Sequence, residues 1–163
     1  MDVIKIRIIG AFILLFISAS SFYLIDLMTF EPRPNGVISG NGNPAIIIMF
    51  IAIPVYAMLL GMISMFFYNV KKVTRIKKGL IIFFISLLLI FCILGEINEV
   101  KWHLDTLNGG PNNPNSIIYR WGWFNQYTNT IYFNVYSFVF GIALSGMLGC
   151  IISIKKNREG QQA

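Results

Sequence analysis

Between two apolar runs, each long enough to cross a bilayer, lie Lys71, Lys72, Val73, Thr74, Arg75, Ile76, Lys77 and Lys78. Five positive charges in eight residues, beside membrane-length hydrophobic segments, are what the positive-inside rule assigns to a cytoplasmic loop. Placing that loop inside gives every other segment a side. The chain is 56% hydrophobic and only 12% charged, whereas soluble domains carry about a quarter charged residues. A membrane protein is therefore expected. Its 163 residues suit one domain, of which four spans of about 20 residues take about half.

Hydropathy and breaker residues place the spans at about 8–27, 45–68, 79–95 and 131–154. Outer loops are expected at 28–44 and 96–130, and the basic inner loop at 69–78. The expected fold is all-α: an integral membrane protein built as a four-transmembrane-helix bundle, a single membrane domain over 1–163, with N and C termini cytoplasmic. The net charge of +6 fits this arrangement without a nucleic-acid partner. Lys5, Arg7, the five basic residues of the inner loop, Lys155, Lys156 and Arg158 flank one side, while only Arg33, Lys101 and Arg120 fall on the other. Asp26, Glu31, Glu96, Glu99 and Asp105 join the poorer side. The basic excess thus faces anionic lipid on the inner surface.

The first span also carries signal-like features, because a charged start and an apolar centre precede Ser18, Ala19 and Ser20. Apolar residues continue through Phe22, Tyr23, Leu24 and Ile25, which gives full spanning length and favours a retained helix. Asp26 lies 18 residues beyond Ile8, about 27 Å at helical rise, near the outer interface. Pro54 removes a backbone donor inside the second span and predicts a kink there. Cys92 and Cys150 sit at depths that differ by about 10 Å, too far for a disulfide, and read as small packing residues.

Beyond Gly95 the third helix is expected to continue out of the membrane. Ile97, Val100, Leu104 and Leu107 recur at three and four, with Asn98, Lys101 and Asp105 opposite, until Asn108, Gly109, Gly110 and Pro111 stop it. Glu96, Glu99 and His103 share one flank of that extension and are the only candidate metal ligands. Two carboxylates and an imidazole can take a divalent cation, yet the spacing is not HExxH, and solvated acidic residues beside a histidine are common on helix faces. No metal or other cofactor is assigned. Tyr119, Trp121, Trp123, Phe124, Tyr127 and Tyr132 cluster before the last span and predict an interfacial aromatic belt.

Within the last span Ser137, Gly141, Ser145, Gly149 and Ser153 fall at strict intervals of four. Small residues at that spacing let a second helix approach closely. The expected partner within the chain is the Ala57 and Gly61 patch of the second span; between chains it is a second copy or another membrane protein.

No Walker loop, dinucleotide fingerprint, CxxC, HExxH or GxSxG motif occurs, so no catalytic residue is assigned and an enzyme is the less favoured class. The sequence points to a non-enzymatic packing, interaction or accessory protein of a plasma membrane. The wealth of Ile, Asn, Lys and Phe, without a glycosylation sequon in either outer loop, leans toward a bacterial one. The alternative is a small carrier or lipid-modifying enzyme that uses Asp26, Glu96, Glu99 and His103 at the outer surface.

Overall fold

The computed structural model describes residues 3–31, 42–69 and 74–162. Among these residues every regular element is helical: α1 Val3–Leu27, α2 Ala45–Asn69, α3 Arg75–Thr106, α4 Ile117–Trp121, α5 Asn129–Tyr132 and α6 Val135–Gln162. Four stretches, Lys5–Leu27, Ala45–Asn69, Ile76–Thr106 and Asn129–Lys156, are long and apolar enough to cross a membrane. Lys71 and Lys72 of the basic loop lie outside the described residues.

Each boundary has a local cause. Thr74 caps α3 by accepting the N–H of Lys77, as a threonine at N-cap does. With 32 residues, α3 is about 48 Å long at 1.5 Å per residue, against a hydrocarbon layer of about 30 Å. The helix is therefore longer than such a layer is thick. The helix ends where Asn108 takes φ 62° and Gly109 φ 103°. There the N–H of Leu107 donates to His103 and that of Gly109 to Leu104, closing the last turn in left-handed geometry that suits glycine and asparagine.

The expected fourth span starting at 131 is interrupted at 133–134. The reason is Asn134, whose side-chain oxygen accepts the N–H groups of Tyr136 and Ser137 at 2.8 and 3.0 Å. Its own N–H donates to the Ser137 hydroxyl. This reciprocal cap starts α6 at Val135 and leaves α5 as a separate turn. By contrast, α2 is helical on both sides of Pro54 and through it.

The four long helices stand in the order α1, α2, α6, α3, each packed against the next, whereas α3 and α1 do not pack together as the other neighbours do. The four-helix bundle is thus open on the side between α1 and α3. Between α1, α2 and α6 an aromatic cluster fills the row: the Phe22 ring lies 4.9–5.2 Å from those of Tyr56, Phe133 and Phe138. The Tyr56 hydroxyl donates to the Phe138 carbonyl at 2.6 Å. Toward the outer end Ile25, Ala45, Met49 and Ala52 form the buried α1–α2 contact.

The glycines of α6 account for its close approach to α2. A side-chain carbon at Gly141 would strike the Tyr56 hydroxyl, and one at Gly149 would strike the Ser64 carbonyl, with Phe67 at 3.0 Å. Gly146, outside the four-residue register, faces Phe67 as well. The receiving surface is Tyr56, Ser64 and Phe67. Ala57 is exposed, and Gly61 has open space where a side chain would be, so the expected Ala57 and Gly61 patch is corrected. A step of four turns the stripe by about 40°, and its two ends serve other purposes. Ser137 takes part in the α6 cap, while Ser153 accepts a hydrogen bond from Lys78 of α3 at 2.7 Å. Ser145 is half-buried.

At the basic end, α6 is held from both sides. Lys78 is only 2% exposed and reaches Ser153; Lys156 donates to the Tyr68 hydroxyl of α2 at 2.7 Å and lies over its ring. Lys78, counted with the basic loop in the sequence, is instead a packed group in the first turn of α3. Cys92 and Cys150 are buried free thiols.

Gly149→Leu should force α6 away from the Ser64 backbone. Overpacking of this kind costs about 1–3 kcal/mol, or a fall of roughly 5 °C in the melting midpoint in detergent. Gly61→Leu should leave the midpoint within about a degree. Equal melting of the two variants would contradict the packing of α6 on α2.

Candidate functional site

The segment after α3 folds back as a cap over the ends of the row. Ser116 caps α4, accepting the Tyr119 N–H while donating to the Gly110 carbonyl. Leu107, Ile117, Ile118 and Tyr127 are buried together beneath it. Asn125 accepts the Tyr127 N–H and donates to Gly122, and the Thr128 hydroxyl donates to Trp123. The cap therefore satisfies much of its polar demand internally, as buried backbone requires.

Several contacts fasten the cap to the helices. Asn43 and Asn129 exchange side-chain amide hydrogen bonds at 2.7 and 3.1 Å, joining the start of α2 to α5. The Phe30 N–H donates to the Gln126 carbonyl just after α1. His103, 3% exposed, joins α3 to α5: Nδ1 lies 2.9 Å from the Glu99 carbonyl and Nε2 2.7 Å from the Thr130 hydroxyl. A carbonyl only accepts, so Nδ1 carries the proton, and in the neutral ring Nε2 accepts from Thr130. The Glu99 carboxylate stands 3.7 Å from Nδ1.

Where the bundle stays open between α1 and α3, their C-terminal ends enclose a polar cavity of about 410 Å3. Asp26, Thr29 and Glu31 line it from the α1 side, Glu99, Trp102 and His103 from α3, with Tyr127 and Thr130 from the cap. Three carboxylates meet there and no lysine or arginine lines the wall. The cavity presents negative charge and hydrogen-bond acceptors, a setting for cationic or donor groups.

Three of the four outer residues singled out in the sequence, Asp26, Glu99 and His103, thus share one cavity. Glu96 does not join them. Its carboxylate accepts from Asn134 at 2.9 Å and faces a different groove, on the α6 side of α3. The flank that carried the candidate metal ligands is therefore divided, and among the described residues no three of His, Cys, Asp and Glu converge as ligands. His103 has both nitrogens engaged within the protein, which makes it a strut between α3 and the cap.

The amphipathic reading of α3 also needs correction. Ile97, expected on the packed face, is 45% exposed, while His103 is buried. Tyr119, Trp121, Trp123, Phe124 and Tyr132 are exposed, in keeping with amphipathic rings at an interface. Tyr127 is not part of that belt: it is buried beneath the cap, its ring 6.2 Å from Phe30. The sequence reading did not single out Trp102, Glu31, Thr130 or the Asn43 and Asn129 pair. Only the aromatic character of exposed Trp102 carried a local signal.

No family model, no curated protein and no solved structure matches this chain.

Thr130→Val removes the hydroxyl facing His103 and leaves a buried nitrogen unpaired, a loss of about 1–3 kcal/mol. The double variant His103→Leu with Thr130→Val should be less destabilised than the two single variants added together. A thermal-melt cycle in detergent measures the coupling; strict additivity would show that the two side chains do not interact.

Proposed function

We propose that this chain is a non-enzymatic multi-pass protein of a plasma membrane, bacterial by its composition, that acts as a packing or accessory partner. The observation behind this reading is the open side of the bundle between α3 and α1. Helices in lipid gain little from hydrophobic association and rely on close contact. Here the glycines of α6 are used within the chain against α2. α3 packs along its length on α6 alone and is the least covered of the four spans. The interaction surface therefore moves from the fourth span, where the sequence reading had it, to α3 and the neighbouring edge at α1. A second copy or another membrane protein is the partner class.

Two hydroxyls in the apolar bodies support binding over transport, although that of Ser18 in the middle of α1 is buried without a partner. The hydroxyls of Ser21 and Ser86 return to carbonyls of their own helices, while transporters place polar groups near the midplane for substrate. Orientation follows the charge asymmetry: both termini and the basic loop inside, the cap outside.

The shared cavity favours a second reading, a carrier or lipid-modifying enzyme working at the outer surface through Asp26, Glu99 and His103. Glu96, in its separate groove, has no part in it. Alanine variants at Asp26 and Glu99 that abolish a measured activity in folded protein would select this reading.

Two measurements test the main proposal. In a background lacking Cys92 and Cys150, Asn113→Cys should react with an impermeant thiol reagent applied to intact cells and Thr74→Cys should not; the reverse pattern overturns the orientation. A photoreactive residue replacing exposed Phe84 of α3 should give a discrete protein adduct in membranes. Adducts to lipid alone would remove the case for a partner on that edge.

A further inference from the structure

On the α6 side of α3 lies a groove of about 650 Å3, almost wholly apolar. Its lining runs along α3 from Cys92 to Lys101, and along the cap-side end of the last span from Phe140 back to Ile131. The strip on α3 covers nine residue steps, about 14 Å at helical rise. That is close to half of a hydrocarbon layer about 30 Å thick. The groove is one leaflet deep and opens outward from the row.

Its polarity changes along its length. Cys92, Ile93 and Phe140 lie at the deep end, while Lys101, exposed, stands at the cap end and is the only cation in the lining. Glu96, the one carboxylate of the lining, is half-buried and held by Asn134, which leaves Lys101 as the exposed charge. A lone cation above an apolar trough complements an amphiphile with an anionic head and a hydrocarbon tail. A partner helix suits it less well. Tyr132, Tyr136 and Phe140 stand where close helix packing uses small residues.

We propose that this groove holds one acyl chain of a glycerophospholipid from the cap-side leaflet, its phosphate against the Lys101 ammonium. The proposal needs α3 and α6 to span the bilayer and is independent of which side the cap faces.

Native mass spectrometry of the full chain, purified in mild detergent, delipidated and titrated with phosphatidylglycerol, tests it. The parent should hold one lipid well above the statistical series of adducts. Lys101→Glu should weaken that binding at least tenfold, and Val100→Trp, which fills the trough, should remove it. Lys5→Glu, an exposed charge on α1, should leave it unchanged. Diacylglycerol, which lacks the phosphate, should bind at least tenfold more weakly than phosphatidylglycerol. Should Val100→Trp fail to fold, Lys101→Glu and diacylglycerol decide. Absence of a distinct first lipid, or equal binding by Lys101→Glu and the parent, overturns the proposal.

Discussion

Backbone contact between α6 and α2 is the constraint on which the rest of the arrangement depends. At Gly149 the two helices come so near that a single added carbon would meet the Ser64 carbonyl. Contact at this range gathers many weak dispersion terms along both helices, the main attraction available where lipid tails are as apolar as the side chains. Once α6 lies on α2, the aromatic cluster around Phe22 closes one side, and α3 packs along the other. Lys156 with Tyr68 and Lys78 with Ser153 then hold the basic end from both flanks.

The opposite end is organised by polar groups. Residues 107–134 fold over the helix ends because Asn129 meets Asn43, Thr130 meets His103 and Asn134 meets Glu96. Each pair crosses from one segment to another far away in sequence. A buried amide or imidazole without such a partner would be costly, so these bonds select one seating of the cap. The same seating leaves two recesses, a polar one between the ends of α1 and α3 and an apolar one between α3 and α6.

Hydropathy and breaker residues made the four long helices legible, because span length and the Asn108–Gly109 stop are local properties. The glycines at 141 and 149 were legible as close-approach points for the same reason. Which surface receives them was not: Ala57 and Gly61 are small, but size says nothing about direction, and Tyr56 with Ser64 holds that side of α2. Periodicity likewise put Ile97 inward and His103 on a flank. The cap reversed the two by offering a hydroxyl at Thr130, 27 residues away, and no local pattern encodes that. The interruption at Asn134 was missed because apolar residues continue on both sides of it.

The order of the row has a consequence for biogenesis. Chains enter the membrane from the amino terminus, and α1 with α2 are consecutive, so that pair can assemble as soon as both are inserted. α3 comes next, yet the helix it packs along is α6, which is synthesised after it. Until α6 has been made, α3 is without its neighbour and Lys78 without the hydroxyl of Ser153. A pause or truncation before α6 would therefore strand α3 and its lysine as a recognisable unfinished intermediate, the form that membrane quality-control machinery would meet first.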